Sequence, residues 1–325
     1  MKNSRRSLLR RAAALAALPM LAGLARAQSY PGHPVRIVVG YAPGGSTDIL
    51  ARRMGQWLSE RLGQQFFVEN RAGAGSNLGT EAVVSAAPDG HTLLLVTPAN
   101  LINAALYPSL KFNFERDIAP VVLMTREPNA MVVHPSVPAK SLAEFIAYAK
   151  ANAGKIAMAS GGNGASSHIS GEMFKMLAGV DMVHVPYKGA GPALTAVVGG
   201  QAQLYFSPLS ATLSYVKQGQ LRMLAVTTDK RSALMPDIPA IGEQVSGYEA
   251  SQLYGIGAPR ATPAEIIDKL NREVNAVLAE PEAKARLAEL GMTPVGGSAA
   301  EFRRVIADET EKWGKVVRFS GARID

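Results

Sequence analysis

Apolar runs and helical patterns alternate along most of the chain. Val35–Gly40 (VRIVVG) is a short continuous apolar run of the kind a buried strand makes. A polar, glycine-containing stretch follows at Tyr41–Thr47, after which Leu50, Met54, Trp57, Leu58 and Leu62 fall on one face of a helix. Phe66–Glu69 and Thr92–Thr97 are predicted as further strands, separated by a Gly-rich loop and a helix near residues 78–87. Ile156–Ala159, Met182–Val185, Gln203–Phe206 and Leu221–Thr227 repeat the pattern, each beside a helical stretch. Helix starts are marked at Ser141…Glu144, Thr262-Pro263-Ala264-Glu265 and Ser298…Glu301, where a hydroxyl and a following carboxylate can satisfy first-turn amides. In the second of these Pro263 is expected at the first helical position, where its missing N–H costs nothing. Gly291 is expected to end a helix over residues 282–290. Repeated strand–helix alternation predicts an α/β fold with mostly parallel sheets flanked by helices.

A chain of 325 residues suggests two domains at ~150 residues each. No low-complexity linker separates them, as expected if strands cross between two lobes. With 47% apolar and 18% charged residues the chain is neither disordered nor a polytopic membrane protein. The formal charge of +8 is unevenly placed. Residues 1–27 hold six of the 34 basic residues (Lys2, Arg5, Arg6, Arg10, Arg11 and Arg26) and no acidic one, leaving 28 basic against 26 acidic in the rest. That balance, with no basic stripe interleaved with aromatics, argues against a nucleic-acid partner.

The same 27 residues have the three parts of a secretory signal: a basic start, an Ala/Leu-rich run over 12–24, and Ala25-Arg26-Ala27 as the cleavage site. A 13-residue apolar helix spans ~20 Å, short of a ~30 Å hydrocarbon core. Ser4-Arg5-Arg6-Ser7-Leu8-Leu9-Arg10 resembles a twin-arginine signal. Export to the periplasm with cleavage after Ala27 is expected. There is no cysteine, which excludes disulfides, thiolate nucleophiles and thiolate metal sites.

Three Gly-rich segments could carry function. Tyr41-Ala42-Pro43-Gly44-Gly45-Ser46-Thr47-Asp48 lies between a strand and a helix, where free amides and the helix dipole favour an anion. Asn70–Gly79 contains G-x-G, but its third glycine falls one position late and no acidic residue ends a following strand, so a dinucleotide site is poorly supported. Ser160-Gly161-Gly162-Asn163-Gly164-Ala165-Ser166-Ser167-His168 again joins a strand to a helix. Two such loops in different lobes could close on one anion. Enzyme signatures are missing: no G-x-S-x-G, no G-x-x-x-x-G-K-[ST] and no H-E-x-x-H. Ser167 and His168 are neighbours on a helix and make a poor nucleophile–base pair. His33, His91, His134, His168 and His184 show no metal-ligand spacing. No cofactor, metal or catalytic residue is expected.

Six segments in one order give a more specific signal. Tyr41–Asp48, Asn70–Gly79, Pro88-Asp89-Gly90-His91-Thr92-Leu93-Leu94, Ser160–His168, Val185-Pro186-Tyr187-Lys188-Gly189, and Lys230-Arg231-Ser232 with Pro236-Asp237-Ile238-Pro239 follow one another between residues 41 and 239, within a resemblance that covers almost the whole mature chain. Together they resemble the extracytoplasmic solute-binding proteins of the tripartite tricarboxylate transporter system, the Bug type. That resemblance implies a two-lobed periplasmic binding protein with a ligand cleft between lobes. One lobe would hold residues 28–127 and 249–325, the other 128–248. It implies a small organic carboxylate as ligand, membrane permease subunits as partners, and hinge closure without covalent chemistry. The chain is expected to act as a monomer. Carried over, the grip falls to Tyr41, Gly45, Ser46, Thr47 and Asp48 from the first lobe, and to Asn163, Ser166, Ser167 and His168 from the second. Tyr187 and Lys188 would lie at the cleft, with Ser207 facing it. Asp48 is expected to order loop amides or meet a ligand donor. The family often has acidic residues near 203 and 207, a Trp at 253 and a Thr at 240. Gln203 and Ser207 stand here instead, and the lost negative charge near Ser207 implies an uncharged or second acidic ligand group over an amine, while Leu253 and Ala240 imply a roomier edge of the cleft. An exported hydrolase or lyase on a similar scaffold, and an orphan sensor subunit, remain as alternatives.

Overall fold

The computed structural model describes residues 30–232 and 235–324. The expected signal segment, with its twin-arginine pattern and cleavage site, lies outside the described residues.

Strand β1 (Val35–Val39) is buried at every position except Arg36, as its apolar run predicts. Helix α1 (Ser46–Leu62) lays Leu50, Met54, Trp57 and Leu58 against the sheet, and Gly63 ends it in the left-handed region. Then come β2 (Phe66–Asn70), α2 (Asn77–Val84), β3 (Thr92–Val96), α3 (Pro98–Leu106), the single turn α4 (Phe114–Asp117) and β4 (Ile118–Glu127). After Pro128 the chain enters a second sheet through β5 (Asn129–Val133), followed by α5 (Leu142–Ala151), β6 (Ala157–Ser160) and α6 (Ser166–Ala178). That sheet is completed by β7 (Val183–Pro186), α7 (Ala190–Val198), β8 (Leu204–Pro208), α8 (Leu209–Lys217) and β9 (Arg222–Val226). The chain returns to the first sheet as β10 (Gln252–Pro259), and ends with α9 (Ala264–Ala279), α10 (Pro281–Glu289), β11 (Thr293–Pro294) and α11 (Ala299–Ser320).

The sheets run in the orders β11-β4-β10-β3-β1-β2 and β7-β6-β8-β5-β9. Parallel pairing covers one side of each sheet, β2-β1-β3 and β7-β6-β8. On the other side β10 runs antiparallel to β3 and β4, and β5 antiparallel to β8 and β9. The fold is therefore less parallel than the sequence pattern predicts. Strands that arrive directly from the other sheet enter without a crossover helix, and parallel neighbours need one. Where the chain crosses, the segments are stitched together. The Asn129 amide donates to Thr227 Oγ1 at 2.8 Å, and the Ala250 amide donates to the Thr227 carbonyl at 2.8 Å.

One apolar cluster runs through both sheets. Val38 and Leu94 belong to the first, Met131, Met158 and Phe206 to the second, and Phe302, Ile306 and Trp313 of α11 join them. Helix α11 packs on both α3 and α6, so the C-terminal segment ties the halves together. Ser141 and Ser298 cap their helices as predicted, each accepting a hydrogen bond from the amide three residues on. Thr262 does not. Its helix starts at Ala264, Pro263 takes the capping position, and the Thr262 amide is drawn into a turn with the Pro259 carbonyl.

A neutral, amide-rich cleft between two helix N-termini

Helices α1 and α6 start in the same way. Each follows a strand and a glycine-containing loop, and neither capping residue, Gly45 or Ala165, offers a side chain to the first-turn amides. The third residue of each helix reaches back to fix its own loop. Asp48 Oδ2 accepts from the Gly44 amide at 3.0 Å, where Gly44 takes a φ of +93° that favours glycine. Four residues is also the span from His168 to Gly164, whose amide donates to His168 Nδ1 at 3.1 Å. Ser167 Oγ accepts from the Gly161 amide at 3.0 Å and holds the rest of that loop.

Asp48 is buried, and it also accepts from Arg52 at 3.0 Å and Asn70 at 2.9 Å. Burial alone pushes its carboxyl up, but the hydrogen bonds from Arg52, Gly44 and Asn70 outweigh this and hold it below its ordinary value. Replacing it by Ala removes the acceptor of three hydrogen bonds, from Gly44, Arg52 and Asn70. The Asp48→Ala variant is expected to lose about 2 kcal/mol in chemical denaturation. An unchanged midpoint would show that the loop does not depend on this carboxylate.

His168 accepts at Nδ1, so its proton sits on Nε2, 3.8 Å from Glu172. Its ring stacks on His184 at 3.7 Å, and His184 Nε2 lies 2.6 Å from Ser160 Oγ. Burial, then the neighbouring His184 and Lys175, pushes His168 down to about 3, and burial with Lys175 pushes His184 down to about 4. Both imidazoles are neutral at physiological pH and lend no positive charge to the cleft.

Between the two helix starts lies a cavity of about 300 Å³. Of the twelve residues nominated from the sequence, Tyr41, Thr47, Asn163 and Ser166 line it. Asp48, Ser167 and His168 stand behind the lining and shape the loops. Gly45 and Ser46 precede it, with the Ser46 hydroxyl beside Tyr254. Tyr187 is half-buried against the core of the second sheet, Lys188 is exposed, and Ser207 is buried at the end of β8. None of these eight is part of the lining.

The structure adds residues that the sequence reading passed over. Thr97, Pro98, Asn103 and Tyr107 line the cavity from α3 and its flanks, and Gln252 and Tyr254 from β10. Thr97 follows a strand and starts a helix, as Tyr41–Asp48 does, with its amide accepted by Asn100 Oδ1 at 2.7 Å. That repeat of strand, short loop and helix was a legible signal. The second Gly-rich loop contributes Gly75, whose carbonyl accepts from Asn103 Nδ2 at 2.7 Å. The roomier edge expected at Leu253 and Ala240 is not there. Both are buried in core packing away from the lining, because alternation along β10 turns Leu253 to the opposite face from Gln252 and Tyr254. Gln203 Oε1 accepts from the Ala157 amide at 2.9 Å, tying β8 to β6. Away from the cleft, His33, Asp89 and His91 bring ligand-capable atoms within 4.8 Å of one another, which their spacing does not suggest. The two imidazoles are stacked at 3.6 Å and 21°, so their lone pairs run nearly side by side and do not meet at one point.

Two sheets joined by crossing strands, with paired loops facing one cleft, define a two-lobed binding protein. Residues 50–321 match the tripartite tricarboxylate transporter family receptor, and the chain belongs to that family. It is 36% identical over 303 residues to Protein BugT of Bordetella pertussis, covering 92% of each chain. Among solved structures, "R. palustris Rpa4515 with adipate" is similar at a TM-score of 0.81 and 35% identity, covering 91% of this chain and 100% of that one. MatC from Rhodopseudomonas palustris with bound malate is similar at 0.76 and 31%, covering 89% and 100%. The alkanesulfonate-binding protein SsuA from Xanthomonas axonopodis, at 0.53 and 14%, shares the fold.

Proposed function

We propose that the protein is exported to the periplasm, captures a small organic carboxylate in this cleft by closing its two lobes, and delivers it to the membrane subunits of a tripartite transporter. One observation carries the reading. Two helix N-termini without side-chain caps, each bearing a hydroxyl (Thr47 and Ser166), face one cavity whose lining, among the described residues, holds no charged side chain. Free first-turn amides with an inward dipole favour an anion, and neutral donors suit a ligand that must later be released. Lobe 1 is assigned residues 28–127 and 249–325, and lobe 2 residues 128–248. The ligand biases closure because it touches both. Malate and adipate, held by the two R. palustris relatives, set the chemical class.

Thermal shifts against mono-, di- and tricarboxylates, amino acids and amides test this. A carboxylate at ~100 times its dissociation constant should add ~2.7 kcal/mol of stability. A hit recovered chemically unchanged supports the receptor. A panel with no carboxylate hit, or turnover of the hit, overturns it.

A further inference from the structure

Behind the cavity wall lies a carboxyl group with no cation paired to it among the described residues. Glu127 is the last residue of β4, at the point where the chain leaves the first sheet, and it is fully buried. Oε2 accepts from the Tyr254 hydroxyl at 3.2 Å and Oε1 from Ser210 of α8 at 3.3 Å. Its neighbour Arg126 points to the other face of β4, as strand alternation requires. There it pairs with Glu249 and with Glu309 of α11, in a cluster that Lys312 completes. Tyr254 is thus the titratable group in contact with Glu127 from β10, and α8 contributes only the Ser210 hydroxyl.

Tyr254 has two sides. Its hydroxyl lies 3.2 Å from Glu127 Oε2 behind and 3.0 Å from Gln252 Oε1 beside it, and in front it lines the cavity, next to the hydroxyls of Ser46 and Thr47. A phenol has one proton to donate. While Glu127 is ionised that proton is drawn backward, and a ligand carboxylate meets oxygen lone pairs with a second negative charge behind them. Once Glu127 is protonated, it can donate to the phenol oxygen, and the phenol proton is released to the remaining acceptors, Gln252 Oε1 and the ligand carboxylate, of which the charged carboxylate is the stronger.

We propose that Glu127, acting through Tyr254, is a positioning residue that couples carboxylate capture to the uptake of one proton from solvent. The inference rests on the carboxylate-receptor reading above. The balance is simple: ionised Glu127, one proton and the carboxylate anion become protonated Glu127 with the carboxylate bound. The selectivity that follows favours carboxylates over amides of the same shape, because an amide gains nothing from the reversed phenol. Burial, opposed by the bonds from Tyr254 and Ser210, raises the Glu127 carboxyl to about 7, so the proton is available near neutrality.

The test is calorimetric titration of the purified protein with adipate and with the tightest carboxylate of the thermal-shift panel, in phosphate and in Tris. These buffers release very different heats on ionisation. Above neutrality the apparent binding enthalpy should differ between them by about one proton's worth, and affinity should fall about tenfold per pH unit. In Glu127→Gln both dependences should vanish, while the fully amidated, neutral form of the ligand should show neither in wild type. Carboxylate binding with no buffer-dependent heat overturns the proposal and leaves the receptor reading standing. If no carboxylate binds at any pH, the receptor reading itself fails and this fails with it. Should Glu127→Gln not fold, the wild-type buffer comparison decides alone.

Discussion

Lowering the pH from about 6 to about 4 is expected to remove about 4 kcal/mol of folding stability through two histidines. In the unfolded chain both imidazoles titrate near about 6.5. Folded, His168 is held down to about 3 and His184 to about 4, in each case by burial first. Above the unfolded value neither state takes up the proton, and the stability is fully present. Below it only the unfolded chain binds the proton, and each histidine withdraws about 1.4 kcal/mol per pH unit until its folded value is reached. Glu127 acts in the opposite sense. Its folded value of about 7 lies above that of the unfolded chain, so its penalty is complete in base and relieved in acid. Over the same window it returns about 2 kcal/mol, too little to cancel two histidines. Chemical denaturation of wild type, His168→Gln and His184→Gln at several pH values would read this out. Each variant should flatten the acid slope by about one proton. If both keep the wild-type slope, the stacked pair is not the cause.

That pair also shows where sequence reasoning stops. His168 and His184 are sixteen residues apart on different elements. Nothing in periodicity brings an imidazole of α6 onto one of β7, whereas parallel pairing of β6 with β7 and packing of α6 on β6 do so directly. The repeated strands and helices were legible because each is a local apolar pattern. The crossing strands β4 and β5 were not, since Ile118–Val133 is nearly continuous apolar chain broken only around Arg126-Glu127-Pro128. A break that short reads as a turn, yet here it is where the chain changes sheets.

The site divides along the same line. Both loops were recognisable from glycine and hydroxyl content ahead of a helix, and each does start one. Which hydroxyl faces the cleft was not. On the first two turns of a helix successive residues point about 100° apart, so Ser46 or Thr47, and Ser166 or Ser167, are equal candidates until the helix is docked. Packing settles it. Ser167 is turned inward onto the Gly161 amide, and Ser166 is left to the cavity. Tyr254 and Gln252 escaped notice because they belong to β10, a strand reached only after the chain has visited the other sheet.

The choice of hydroxyl leads to the second large effect. Thr47→Val and Ser166→Ala should each weaken binding of the tightest carboxylate by about 10- to 100-fold, the loss of a hydrogen bond to a charged group at about 1.5–3 kcal/mol. Both side chains lie at the cavity surface outside the packed clusters, so folding stability should change little. The two hydroxyls come from helices on opposite sheets, and on the proposed grip each meets the ligand separately. The double variant should therefore lose about the sum of the single effects, in line with additivity for sites without shared partners. Closure sharpens the comparison, because a ligand biases the closed state only by its differential contacts with both halves. Small-angle scattering of the double variant at saturating ligand should keep a larger fraction of the open form than either single variant. Affinity unchanged in both single variants would remove the two-loop grip and shift recognition to the α3 and β10 side of the cavity, lined by Thr97, Asn103, Tyr107 and Tyr254.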